Sequence, residues 1–231
     1  MNLPENPQGA AATGRPGAAE AVMREYYERR APEYESTYQK RERQTDLARL
    51  RRTLAHRFDK RKVLDVACGT GYWTACYAEN ARLVVGVDAN ASVLDVARSK
   101  AMARTRFTLG DAQVLAESLG RFDGAFVGFW WSHVPRRGLE AFVASLHRLL
   151  LPGARVILLD NLYVPGSSTP ILEEDAFGDC WQERVLADGS SHRVRKNFPR
   201  YEELMALLAP AADATHWWQL DYYWWFEYTL R

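Results

Sequence analysis

Five short apolar runs, 62–66, 83–87, 105–109, 122–129 and 155–160, alternate with segments of helical patterning, and this alternation constrains the fold of the 231-residue chain more than any other feature. The run 83–87 is apolar almost throughout, as a strand covered on both faces requires. Helical segments read at 72–80, 92–100 and 139–151, with Asn90 or Ser92 capping the second and Pro152-Gly153 closing the third. Parallel neighbours need a crossover, which a helix supplies. Repeated alternation therefore predicts an α/β chain with a parallel sheet and helices on both faces.

The two ends depart from that rhythm. Val22, Tyr26, Tyr27, Ala31, Tyr34 and Tyr38 recur at helical spacing over 18–39, interrupted by Pro32. Leu47, Leu50, Leu54, Ala55 and Phe58 mark a second amphipathic helix ending near Asp59. Beyond 160 a hairpin is expected, 182–186 with 192–196 around Asp188-Gly189, then a helix over 201–208. Two aromatic strands, 215–220 and 223–230, stand too close together for a crossover and must be antiparallel. The expected organisation is a flexible leader over 1–19 and one domain over 20–231. That domain divides into a helical cap (20–60), a ligand-binding core (61–160), a lid or acceptor insertion (161–200) and the last helix with its antiparallel strands (201–231).

Composition narrows the function classes. With 47% hydrophobic residues the chain can bury a core, and a net charge of +1 lacks the lopsided field of a nucleic-acid binder. No run reaches the ~18–20 apolar residues of a membrane span. The start of the chain lacks the charged and apolar regions of a secretory signal. Cys68, Cys76 and Cys180 form no CxxC pair, which argues against a disulfide framework and a structural zinc site and for a cytoplasmic setting. No metal constellation is expected, because the histidines are scattered at 56, 133, 147, 192 and 216.

The chemistry concentrates where the first strand ends, at Val63-Leu64-Asp65-Val66-Ala67-Cys68-Gly69-Thr70-Gly71. Gly69 and Gly71 allow backbone to approach a ligand closely, and the amides beyond favour an anionic group. A dinucleotide fingerprint would continue to a third glycine, where this chain has Thr74. Asp65, ahead of the glycines, would repel a pyrophosphate but suits an ammonium. A ligand with a zwitterionic amino-acid end fits both features, and an NAD-dependent dehydrogenase is disfavoured. Asp88, about twenty residues on, stands where a carboxylate takes ribose hydroxyls. Asp111, in Gly110-Asp111-Ala112, is placed to accept from an adenine amino group.

Together these residues resemble the class I S-adenosylmethionine-dependent methyltransferases of the small-molecule branch. The resemblance implies a doubly wound, Rossmann-like sheet of seven strands, mostly parallel with an antiparallel last strand. It implies S-adenosyl-L-methionine as cofactor, with Gly69 and Gly71 at its methionine part, Asp88 at the ribose, and Asp111 with Ala112 at the adenine. Ala67, Trp73, Ala89, Phe129 and Trp130 complete the expected cofactor pocket. Ala67 stands where the family's loop usually has glycine. Relatives close a tyrosine-rich helix pair over the cofactor, which makes Tyr26 and Tyr34 candidates there. Tyr38, Trp131 and His133 are the candidates at the acceptor. His133 is the most plausible catalytic base, its alternative role being to cap or orient the loop. Arg184, Arg193, Arg195 and Lys196 either attract an anionic acceptor or are exposed hairpin charge. The implied reaction is methyl transfer to an oxygen or nitrogen of a small metabolite, without nucleic acid or membrane, a homodimer being left open. The competing reading is a non-catalytic binder of the same cofactor.

Overall fold

The computed structural model describes residues 17–231, so positions 1–16 of the expected leader lie outside the described residues. Helix α1 (Ala18–Arg30) gives way at Pro32 to a 3₁₀ stretch, Ala31–Gln39, because proline removes a backbone donor. After α2 (Gln44–Leu54) the core alternates as expected: β1 (Lys62–Val66), β2 (Leu83–Asp88), α3 (Ala91–Ser99), β3 (Thr105–Leu109), β4 (Phe122–Gly128), α4 (Leu139–Arg148) and β5 (Leu150–Asn161). A small antiparallel sheet follows, made of β6 (Glu173–Glu174), β7 (Cys180–Val185) and β8 (Ser191–Arg195). Then come α5 (Tyr201–Leu208), β9 (Ala212–Gln219) and β10 (Tyr223–Leu230).

The main sheet has seven strands in the order β3-β2-β1-β4-β5-β10-β9. All pairs from β3 to β5 are parallel, and β10 runs antiparallel to both β5 and β9. One reversed strand therefore sits inside the sheet, and β9 at the edge again points with β5. The chain winds outward from β1 through β2 to β3, then returns to place β4 on the other side of β1. That reversal opens a crevice beyond the strand carboxyl ends.

Period-two alternation divides the core between the faces. On β10, Trp224, Phe226 and Tyr228 join one cluster with Phe142 and Leu146 of α4 and Leu204 and Leu208 of α5. Tyr223 and Trp225 join the other, with Leu47, Leu50 and Leu54 of α2. Each such side chain contributes about 1.5–3 kcal/mol by leaving water.

Three expectations fail. α2 stops at Leu54, short of Asp59, and turns follow over 55–60. The segment 72–80 is not a regular helix but a 3₁₀ turn, Thr74–Cys76, flanked by turns. Thr74 and Tyr77 both donate to Asp65 Oδ2 at 2.6 Å, while the neighbouring rings of Tyr72 and Trp73 both pack on Tyr38. These tertiary demands override the local preference. Nor does Pro152-Gly153 close α4, which stops at Arg148. The dipeptide lies inside β5, where the pairing with β4 jumps from Phe122↔Leu150 to Gly124↔Arg155 and Gly153 takes φ +79°. It forms a bulge.

Candidate active site

A cavity of about 440 Å³ occupies the crevice, floored by the loops that follow four adjacent strands. Ala67 and Gly69 follow β1, and Asp88 with Ala89 and Asn90 follows β2. Asp111 and Ala112 follow β3, and Phe129 and Trp130 follow β4. Met23, Tyr27 and Tyr34 from the N-terminal helices close it from above.

Tight backbone bends make the floor. Ala67, Gly69 and Phe129 all have positive φ, at +52°, +54° and +60°. Glycine adopts this geometry freely, whereas a Cβ adds ~1–2 kcal/mol of strain. Ala67→Gly is therefore expected to stabilise the fold by about 0.5–1 kcal/mol, seen as a raised Tm. An unchanged or lowered Tm would show that the bend at Ala67 carries no strain.

Asp88 is the hub of the floor. Its Oδ2 accepts the Gly69 N–H at 2.9 Å and its Oδ1 the Asn90 N–H at 3.0 Å, tying the loops after β1 and β2 together. Each oxygen keeps a lone pair for a hydroxyl. Burial pushes this carboxyl up, against the opposing effect of the two amides. The Trp130 indole N–H has no partner among the described residues, although it is buried and its ring lines the cavity. A polar donor in that position is suited to a ligand acceptor atom. Cavity size, paired acids and an orphan donor all fit a nucleoside-linked ligand.

A second cavity, of about 90 Å³, adjoins the first. Tyr27, Tyr34, Phe129 and His133 line both and form the wall between them. Lys196 from the end of the hairpin and Tyr38 line the smaller one alone. The hairpin is held down by a buried cluster. Lys196 Nζ donates to Asp160 Oδ1 and Ser132 Oγ, both at 2.7 Å, while Asp160 also accepts the Ser132 and Asn161 N–H groups.

His133 stands between these elements with both ring nitrogens engaged. The Arg195 carbonyl, 2.6 Å away, can only accept, so Nδ1 carries the proton. Nε2 then accepts from the Tyr27 hydroxyl at 2.9 Å. Burial, reinforced by the nearby Lys196 ammonium, lowers its pKa to about 3. His133 is a neutral ring that fixes the Tyr27 hydroxyl.

Several sequence candidates lie elsewhere. Asp65 is buried beneath the loop, committed to Thr74 and Tyr77 and raised to about 6 mainly by burial, and it lines neither cavity. Gly71 is needed for packing: a Cβ there would stand 2.9 Å from Met102 and 3.3 Å from Ala97. Trp73 stacks behind Phe129 with ring centroids 5.4 Å apart. Tyr26 is buried against Tyr27, its hydroxyl accepting from Arg30 at 2.7 Å. Trp131 packs on Phe142 in the core rather than at the acceptor, because the turn after Trp130 sends adjacent side chains to opposite sides. Of the hairpin cations, Arg193 pairs outward with Glu173 and buried Arg195 with Asp179, which leaves Arg184 and Lys196 at the smaller cavity. Tyr27, Arg30 and Arg43 went unremarked as site residues. For Tyr27 the available signal is its place one turn before Pro32, where the helix must break toward the crevice.

Residues 63–153 match the methyltransferase-domain family. A malonyl-[acyl-carrier protein] O-methyltransferase of Serratia marcescens is 34% identical over 134 residues, covering 57% of this chain and 46% of that protein. The stretch that follows β1 through β5 thus carries the likeness to methyltransferases. A demethylmenaquinone methyltransferase of Lactococcus lactis is 30% identical over 106 residues, covering 43% of this chain and 41% of that protein. The chain thus spans less than half the length of these curated relatives. The solved DhpI–SAH complex is similar over 91% of this chain and 96% of that one, with a TM-score of 0.73 at 25% identity. Among the described residues no helix of the chain is long and apolar enough to cross a membrane.

Proposed function

We propose that this chain is a methyltransferase that moves the methyl group of S-adenosyl-L-methionine to an oxygen or nitrogen of a small-molecule metabolite. The observation that carries this reading is a pair of cavities with one shared wall, a larger one edged by Asp88 and Asp111 and a smaller one beyond Tyr27 and His133. DhpI, solved with SAH, and the O-methyltransferase relative support the cofactor assignment. In this reading Asp88 takes the ribose hydroxyls, Asp111 with Ala112 meets the adenine, and Gly69 lets the loop backbone approach the methionine part. The cofactor supplies a methyl group on a sulfonium, an activated leaving group that asks little covalent chemistry of the protein.

What the chain must supply is alignment and dryness. Holding two reactants in line contributes up to ~7–11 kcal/mol. The aromatic wall of Tyr27, Tyr34 and Phe129 keeps water from the junction, with residues 20–60 as cap and 161–200 as lid. Faces of these rings attract a cation by ~0.5–2 kcal/mol. We place His133 as a positioning residue acting through Tyr27. A cytoplasmic setting and the absence of a nucleic-acid partner are further expectations of this reading.

Two measurements test it. Calorimetry is expected to show S-adenosylhomocysteine binding, and labelled methyl is expected to appear in a small-molecule pool. Absence of binding to folded protein overturns the reading, and binding without transfer to any acceptor favours the non-catalytic binder. The His133 ring is further expected to keep its neutral NMR signature from about pH 8 to about pH 5. A transition near the ordinary histidine value would return it to the role of base.

A further inference from the structure

Cations outnumber acids around the smaller cavity. Arg30, Lys40, Arg43, Arg184 and Lys196 line it, and among the described residues no carboxylate does. Lys196 is matched by Asp160. The others are held by neutral groups: Arg30 donates to the Tyr26 and Thr37 hydroxyls, Arg43 to Ser167 Oγ at 2.9 Å, Lys40 to the Ser167 carbonyl and Arg184 to Gln182 Oε1. Glu42, whose charge is felt by Lys40 and Arg43, accepts from the Ser167 hydroxyl and stays outside the lining. Arg184 Nε is buried with no hydrogen-bond partner among the described residues. Guanidinium groups brought together without acids repel one another, and a bound anion relieves that cost.

Among the described lining residues, no side chain is free to take a proton. His133 has both nitrogens engaged. Tyr27, Tyr34 and Tyr38 keep their protons because burial raises all three phenols. Lys196 is committed to Asp160 and Ser132. An acceptor that must lose a proton finds no free imidazole, phenolate or carboxylate there.

We propose that the methyl acceptor is a small oxyanion, a carboxylate or a tetrahedral phospho group, held by Arg30, Arg43 and Arg184, and that its charged oxygen is the atom methylated. This rests on the methyl-transfer reading and adds the acceptor's class. The acceptor oxygen contributes the electron pair of the new O–CH₃ bond, the pair of the broken S–CH₃ bond stays on sulfur, and no proton moves. One negative and one positive charge cancel, and the product is a methyl ester.

The test uses protein saturated with S-adenosylhomocysteine, whose own binding is measured first. Inorganic phosphate and acetate are then titrated separately by calorimetry, which distinguishes tetrahedral from planar oxyanions. Binding of either is expected, weakened about tenfold or more by Arg184→Met and by Arg43→Met, with S-adenosylhomocysteine affinity changed less than about twofold. Partial recovery in Arg184→Lys would support a charge role. Should Arg43→Met fail to fold, Arg184→Met alone carries the comparison. If S-adenosylhomocysteine binds but neither anion does, or if anion binding ignores the Arg184 substitutions, this inference fails while the methyl-transfer reading stands. If S-adenosylhomocysteine itself does not bind, the underlying reading fails instead. In transfer assays, label is expected in base-labile esters, and label confined to amines or neutral alcohols would overturn the proposal.

Discussion

Replacing Asp88 with alanine is expected to weaken S-adenosylhomocysteine binding by about 3 kcal/mol, more than about a hundredfold, and to destabilise the fold as well. Two losses add. A charged hydrogen bond to ribose is worth ~1.5–3 kcal/mol. The carboxylate also holds the Gly69 and Asn90 N–H groups, and its removal frees the loop that forms the cavity floor. Each amide left without a partner costs ~1–3 kcal/mol. Asp88→Asn keeps one acceptor oxygen and should fall between the wild type and the alanine variant. Calorimetry reads the affinity and urea unfolding the stability. A folded Asp88→Ala protein with unaltered affinity would move the ribose site away from β2.

Lys196→Met should cost ~3–5 kcal/mol of stability, because it strands Asp160 as an uncompensated buried carboxylate. Asp160 is fully buried, and burial alone would raise its pKa, but the Lys196 ammonium at 2.7 Å, together with the Asn161 N–H and the neighbouring His133, holds it below the usual range. The pH dependence has a definite sign. A carboxyl depressed in the folded state contributes stability that is present above its unfolded value and lost as pH falls through the folded value. In Lys196→Met the same carboxyl keeps only the burial effect, so its folded pKa rises and acidification toward the unfolded value favours that variant. The gap in urea midpoint between the two proteins should therefore narrow as pH drops toward about 4. A gap independent of pH would mean that Asp160 is not charged in the fold. Adding Asp160→Asn to Lys196→Met should recover part of the loss, since the amide oxygen still serves one backbone donor.

The same pair explains why the hairpin reaches the site at all. Lys196 leaves β8, and Asp160 ends β5, so the ion pair and the Ser132 hydroxyl latch residues 161–200 onto the strand ends. The spacing of residues along the chain offers no sign of this contact. The floor is different. Asp88, Asp111 and Gly69 each follow a strand by a fixed short step, so strand periodicity was enough to bring them to one crevice. Asp65 shows the limit of that reasoning. It occupies the right strand, but its side chain alternates beneath the loop, where Thr74 and Tyr77 claim it. Trp130 and Trp131 divide in the same way, one lining the cavity and the other joining the core.

The chain's local chemistry determined the strand–helix alternation, the reversed aromatic strand and the residues that floor the larger cavity. Each depends on short-range periodicity and on glycine or acid placed at or just beyond a strand end. Tertiary packing alone decided the smaller cavity. Tyr27, Arg30, Arg43, Arg184 and Lys196 come from segments far apart in sequence, and only burial of the cap and hairpin against the sheet sets them facing one another. Side-chain charge is visible in sequence, whereas whether a counter-charge stands beside it depends on long-range packing, and here that packing leaves the cavity positive.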